Sequence, residues 1–296
     1  MMPNDQRAPA APQARPAGAE RGDGVPLQTR TDGDGGSGGT KSPGKAIETH
    51  GLRKEFGEFV AVDGIDLLVP RGSFYGFLGP NGAGKSTTIK CLTGLLTPTA
   101  GTFRVLDMDP IADPVGVKRQ VGVVPEDLAL FDRLSGAETL GFVGQVHGLD
   151  AKSIRARSQE LLALMDLTKA ANELVADYSH GMRKKIALSA ALLPAPRLLF
   201  LDEPFEGIDA IASRQIKDLL AAFVKNGGTV FLTTHVLEIV ERLCDFIGII
   251  NKGRLVTQGS MADLRAGGVE GQSLEERFME IVGASKSALP TLDWLG

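Results

Sequence analysis

Cysteine, tryptophan and surplus positive charge are all scarce in these 296 residues, and each shortage narrows what the chain can be. The two cysteines, Cys91 and Cys244, lie far apart in apolar-periodic segments, with no CxxC pair and no Cys/His cluster beside either. That argues against a disulfide framework or a zinc site and predicts two buried free thiols. Acidic residues outnumber basic ones, 36 to 32, giving a net charge of −4. Nonspecific nucleic-acid binding runs on a lysine and arginine excess, so no nucleic-acid partner is expected. No run approaches the ~18 consecutive apolar residues of a membrane span; "IALSAALLPAP" is too short and carries two prolines. The N-terminus lacks the apolar stretch of a secretory signal. The expectation is a cytoplasmic chain that does not cross a membrane by itself.

What is present is an apolar fraction of 43%, ample for a core. It is unevenly spread. Met1 to Lys45 is built of Ala, Pro, Gly, Asp and Arg, with no aromatic residue and no isoleucine. Such a segment cannot bury enough apolar surface to offset ordering, so residues 1–45 read as a disordered tail. From Ala46 the texture changes. "AIETH", "FVAVDGIDLLVP" and "GTFRVL" alternate in the manner of an antiparallel sheet, while "SFYGFL", "VGVV", "RLLFL", "TVFLT" and "FIGII" read as buried strands between helical patterns. The second group predicts a largely parallel α/β core. Glu138 to Met165 is mainly helical in period and is read as a small subdomain inserted into that core. Leu274 to Val282 has the spacing of an amphipathic helix that packs on the core.

Two motifs carry chemistry. "SFYGFLGPNGAGKSTTIKCLTGL" is a buried strand, a glycine-rich turn and a helix, and it satisfies G-x-x-x-x-G-K-[ST] at Gly79, Gly84, Lys85 and Ser86. The turn, with Pro80, Asn81, Gly82 and Ala83 between the glycines and Thr87 just beyond, lets backbone N–H groups close around phosphate oxygens. The helix start adds partial positive charge, Lys85 reaches the terminal phosphates, and Ser86 offers a hydroxyl to Mg²⁺. "RLLFLDEP" is the second: a buried strand with Asp202 and Glu203 at its C-terminal end, where an open parallel sheet places its ligand. Asp202 can hold Mg²⁺ through water, and Glu203 can orient and deprotonate an attacking water.

With both motifs in place, Ala46 to about Gly283 resembles the nucleotide-binding subunit of an ATP-binding-cassette (ABC) transporter. Five further pieces fall in that family's order: Phe56 in "KEFGEF", Glu126 in "VVPED", "YSHGM" at Ser179 to Gly181, "EGIDA" with Asp209, and "TTH" ending in His235. The resemblance implies a P-loop NTPase cassette of α/β class, with a RecA-like parallel core, an antiparallel β subdomain and an α-helical subdomain at about 127–180, leaving 284–296 as a short tail. It implies that Phe56 stacks on adenine, that Glu126 shares Mg²⁺ with Ser86 and Asp202, and that Glu203 and His235 act on the γ-phosphate. Ser179, Gly181 and Asp209 would reach the ATP of a second cassette. His50 and His147 match nothing and read as ordinary.

Two departures stand out. The signature is usually Leu-Ser-Gly-Gly-Gln, but here His180 replaces the first glycine and Met182 the glutamine. A histidine is tolerated if its φ is negative and its ring points away. At the Q-loop, Glu126 stands in place of glutamine, and a carboxylate suits a hard cation. Pro-Glu, Met182 and "SLEERFMEIVG" resemble a drug-exporter branch. The family resemblance implies ATP and Mg²⁺, a multi-span membrane permease, a second cassette that is a copy of this chain or a different one, and a place on the cytoplasmic face of the membrane. A soluble ABC ATPase in a non-transport machine is the alternative.

Overall fold

Five segments lose their side chains to the interior at nearly every position, and they build the central sheet of the computed structural model, which describes residues 44–266 with Glu276, Phe278 and Met279. They are β4 (Phe74–Leu78), β6 (Val121–Val124), β7 (Leu198–Asp202), β8 (Thr229–Thr234) and β9 (Phe246–Asn251), joined at one edge by β10 (Arg254–Ser260). The order is β10-β9-β4-β8-β7-β6, parallel except for the antiparallel β9/β10 pair. A parallel sheet is covered on both faces, which is why these strands read as unbroken apolar runs. Alternation persists inside the runs. Leu199, Leu201 and Leu232 face one cluster, whereas Leu198, Phe200 and Phe231 face the other. Phe231 sits at the centre of the second, stacked on Tyr75 at 5.6 Å and tilted against Phe77 and Phe200.

The alternating segments form the expected antiparallel sheet. The long β1 (Lys45–Phe56) pairs with β2 (Phe59–Ile65), β3 (Leu68–Pro70) and β5 (Ala100–Val105). The inward residues of this sheet, Ile47 and Leu52 of β1, Val62 of β2 and Val69 of β3, share a core with Phe231 and with Ile89 and Leu92 of α1 (Lys85–Leu92). Helix α2 (Pro114–Gln120) leads into β6. Between β6 and α5 (His180–Leu192) run α3 (Gly136–Val146), α4 (Ala151–Leu164) and a short 3-10 turn at Val175–Asp177. Helix α3 opens with a reciprocal cap: Ser135 accepts from the Glu138 N–H and Glu138 accepts from the Ser135 N–H. The remaining helices are α6 (Ala210–Lys225), α7 (Leu237–Leu243) and α8 (Met261–Ala266).

Both cysteines are buried free thiols, as the sequence predicts, and burial raises their pKa, that of Cys91 to about 11. Among the described residues no helix is long and apolar enough to cross a membrane. The segment 1–43 and the 284–296 tail lie outside the described residues. Of Leu274 to Val282, Glu276, Phe278 and Met279 are helical, and Phe278 packs half-buried on the larger core.

β4, β8 and β7 are neighbours in register, with Leu78 beside Thr234 and Asp202 beside Thr233. The residues that leave these strands at their C-terminal ends therefore meet above one sheet edge.

Candidate functional site

The glycine-rich turn between β4 and α1 is shaped by two close approaches. A side chain at Gly79 would collide with the Ile250 carbonyl of β9, and Gly84 combines φ +108° with contact to the Ala61 carbonyl. Only glycine meets both demands. Gly84 caps α1 without a side-chain bond, so the first-turn N–H groups face the turn with no side-chain acceptor at the cap. Lys85 curls back over the turn. Its Nζ donates to the carbonyls of Gly79 (2.8 Å) and Pro80 (3.3 Å) and stands 3.3 Å from Oε1 of Glu203.

Across the cavity, β7 ends in Asp202 and Glu203, both buried. The Thr233 hydroxyl donates to Asp202, which lies behind the cavity wall. Glu203 takes a left-handed φ of +47°, unusual for a side chain that size. Its N–H donates to Thr233, and its carbonyl accepts from Lys184 Nζ at 2.8 Å. Oε1 is 3.2 Å from Nδ1 of His235 and near Lys85, yet it makes no well-aligned hydrogen bond. It is a buried acceptor set between the Lys85 ammonium and the His235 imidazole at the cavity wall.

That space is a cavity of about 460 Å³. Asn81, Gly82, Gly84, Lys85, Ser86 and Thr87 form one wall; Glu126, Glu203, Glu206 and His235 form another; Phe59 and Ala61 close the side. Gly79, Pro80 and Ala83 belong to the turn but do not line the cavity. Phe56 is absent from the lining as well. It is 47% exposed, with Lys54 Nζ 5.0 Å above its ring, and it is the ladder partner of Phe59, which is 63% exposed at the cavity. Phe59 and Glu206 are cavity residues that motif matching passed over. The signal for Phe59 was its place across a two-residue hairpin turn from Phe56.

Charge is concentrated here. Burial, and then the carboxylates of Asp202, Glu206, Glu203 and Asp127, raise the Glu126 carboxyl above its ordinary range. Ser86 and Glu126 offer oxygen donors in the wall, with Asp202 behind. Among the described residues no three His, Cys, Asp or Glu side chains are spaced to hold a metal alone. This sparse oxygen set fits a hard cation such as Mg²⁺, which keeps waters and shares substrate phosphates.

Ser179, Gly181 and Asp209 do not line this cavity. The structure brings them together elsewhere, at the starts of α5 and α6. Ser179 caps α5 by accepting from the Met182 N–H, and its hydroxyl proton remains able to donate. Asp209 caps α6 by accepting from Ile211 and Ala212, bonds that hold its carboxyl below the usual range. A Cβ on Gly181 would be 3.9 Å from Asp209. His180 begins α5 without a left-handed φ; the residue is exposed, and its ring edge lies beside Gly207 of the adjoining loop.

Known proteins resemble this chain in sequence and in fold. The family described as ABC transporter matches residues 62–206. The daunorubicin/doxorubicin resistance ATP-binding protein DrrA of Streptomyces peucetius is 41% identical over 224 residues, covering 76% of this chain and 68% of that protein. The linearmycin resistance ATP-binding protein LnrL of Bacillus subtilis is 36% identical over 224 residues, covering 75% and 72%. A solved structure of an ATP-binding subunit of an ABC transporter superposes with a TM-score of 0.75 at 30% identity, covering 80% of this chain and 99% of that one.

Proposed function

The chain belongs to the ABC transporter family, and from that premise we propose that it is the ATP-hydrolysing motor of an exporter whose membrane-spanning part is a separate subunit. The observation that carries the reading is the convergence of Lys85, Glu203 and His235 on one cavity above the ends of β4, β7 and β8. The Lys85 ammonium already faces the Glu203 carboxylate, so a polyphosphate that engages Lys85 frees that carboxylate for water.

The turn 79–84 and the start of α1 bind the phosphates through backbone N–H groups, with Lys85, Ser86 and Thr87 beside them. Phe59 presents an aromatic face for the base, with Phe56 beside it across the hairpin, and Ala61 lies next to it. Ser86, Glu126 and Asp202 would hold Mg²⁺, which when bound offsets charge on the phosphate oxygens. Glu203 orients the attacking water and takes its proton, while His235 contacts the γ-phosphate and steadies the Glu203 carboxylate.

Ser179, Gly181 and Asp209 serve the other half of the reaction. Ser179 and Asp209 cap neighbouring helices outside the cavity, with Gly181 in the first turn of α5, an arrangement suited to completing the site of a second cassette, which we take to be a second copy of this chain. ATP held between two such surfaces closes the pair, and loss of the γ-phosphate releases it. An apolar cavity of about 320 Å³ beside the Glu126 loop, lined by Leu128, Leu130, Phe131, Val143 and Ala190, suits an apolar helix of the membrane subunit. Exposed Phe131 and Phe142, packed edge to face at 5.1 Å, extend that surface. The assembly would place the chain on the cytoplasmic face of the membrane, with 46–283 as the cassette and about 127–180 as its helical part.

The test is Glu203→Gln. It should slow hydrolysis by about two to four orders of magnitude while ATP still binds. Hydrolysis at the parent rate would overturn the assignment.

A further inference from the structure

Of the three basic residues in "MRKK", Arg183 and Lys185 are half-buried and Lys184 is buried. Lys184 is 5% exposed, one helical turn before the buried Leu188 on the inward face of α5. Its Nζ donates to the carbonyl of Glu203 at 2.8 Å and to the carbonyl of Glu206 at 2.6 Å. Burying an ammonium is costly unless it is paired and hydrogen-bonded, so a lysine kept in this place has a specific task. Burial pulls its pKa down, and the carboxylates of Glu206, Glu203 and Glu126 pull it back up.

The two carbonyls it binds bracket the loop that leaves β7. That loop starts with Glu203 in a left-handed conformation, which is strained for a non-glycine residue and persists only where its surroundings fix it. The N–H of Glu203 is fixed by Thr233; its C=O is fixed by Lys184. Nearby, the His180 ring covers Gly207 of the same loop. On its other side, the start of α5 is tied to the α3–α4 region: the Tyr178 hydroxyl donates to the Ala170 carbonyl, and Arg183 donates to the Val175 carbonyl and pairs with Asp132 at 2.8 Å.

We propose that Lys184 is a positioning residue for Glu203, holding the Glu203–Glu206 loop so that the carboxylate points into the cavity and coupling that loop to the helix that bears Ser179 and Gly181. This rests on the reading of Glu203 as the general base. A shift of α5, from whichever subunit it originates, then reaches the Glu203 backbone through a single ammonium.

The experiment compares Lys184→Met, Lys184→Gln and Lys184→Arg in the full-length chain, in the assembly with which it co-purifies, alone and combined with Glu203→Gln. Lys184→Met should lower kcat by about 10- to 100-fold, as a misplaced catalytic group does, with KM and ATP affinity within about threefold. Lys184→Arg and Lys184→Gln, which keep N–H donors, should recover part of the rate. In the Glu203→Gln background Lys184→Met should cause little further loss. A folded Lys184→Met with parental kcat, or a full-sized further loss in that background, would overturn the proposal. Should the methionine variant fail to fold, parental kcat in Lys184→Gln together with lost donor contacts would do the same. Glu203→Gln at the parental rate would sink the general-base reading itself, whereas slow Glu203→Gln beside fast Lys184→Met sinks only the role of Lys184.

Discussion

Nζ of Lys85 stands 3.3 Å from Oε1 of Glu203, with both side chains almost fully withdrawn from solvent. Each is the other's principal counter-charge in the nucleotide-free chain. Removing one partner of a buried pair strands the other, at a typical cost of about 3–5 kcal/mol. Lys85→Ala should therefore destabilise the nucleotide-free protein by that order in denaturant unfolding, beyond its loss of phosphate binding. Adding Glu203→Gln should restore a substantial part. Equal instability of the single and double variants would show that the pair is not what matters.

Phe59 and Phe56 give a second prediction. Stacking of a base on an aromatic ring is worth about 1–3 kcal/mol. Phe59→Ala should weaken ATP binding by about 5- to 100-fold while leaving tripolyphosphate binding unchanged, and the double variant with Phe56→Ala should be weaker still. ATP binding that ignores the loss of Phe59 would contradict its placement at the cavity.

Glu126 predicts a pH effect. Its raised carboxyl pKa means that the folded chain holds that proton more tightly than the unfolded chain does. The associated stability is present below the ordinary carboxylate range and is lost as pH rises through the raised value. Glu126→Gln should raise the unfolding midpoint of the nucleotide-free protein at neutral pH and flatten its dependence on pH from about 4.5 upward. An unchanged midpoint and slope would remove Glu126 from the acidic cluster.

In the core, Phe231 touches three aromatic rings between the two sheets. Phe231→Ala should cost about 3–5 kcal/mol by chemical denaturation, as truncation of a buried Phe does. A loss below about 1 kcal/mol would mean that the two layers do not pack through it.

The α/β architecture was legible because its signals are physical. Strands β4, β7 and β8 are buried on both faces and so appear as unbroken apolar runs, and the turn after β4 needs glycine at Gly79 and Gly84 for steric reasons that leave a pattern. The free thiols of Cys91 and Cys244 followed from their apolar surroundings. Contacts made across the fold left no such mark. The helical phase of α5 turns Lys184 inward with Leu188, but nothing in "RKK" says that carbonyls of Glu203 and Glu206 wait there. The sequence allowed a histidine at His180 with its ring turned away, but it did not show that the ring edge would lie beside Gly207, a position set by how α5 meets the loop after β7. Phe59 escaped notice because the aromatic that matched the family pattern was its partner across the hairpin.

The most direct test of a motor that works through a separate membrane subunit is co-purification from gently solubilised native membranes, with ATP hydrolysis followed in the same fractions. A stoichiometric multi-span partner that travels with the ATPase activity is the predicted result. A soluble partner, with no membrane protein retained, would leave the ATPase chemistry standing and contradict the transport role.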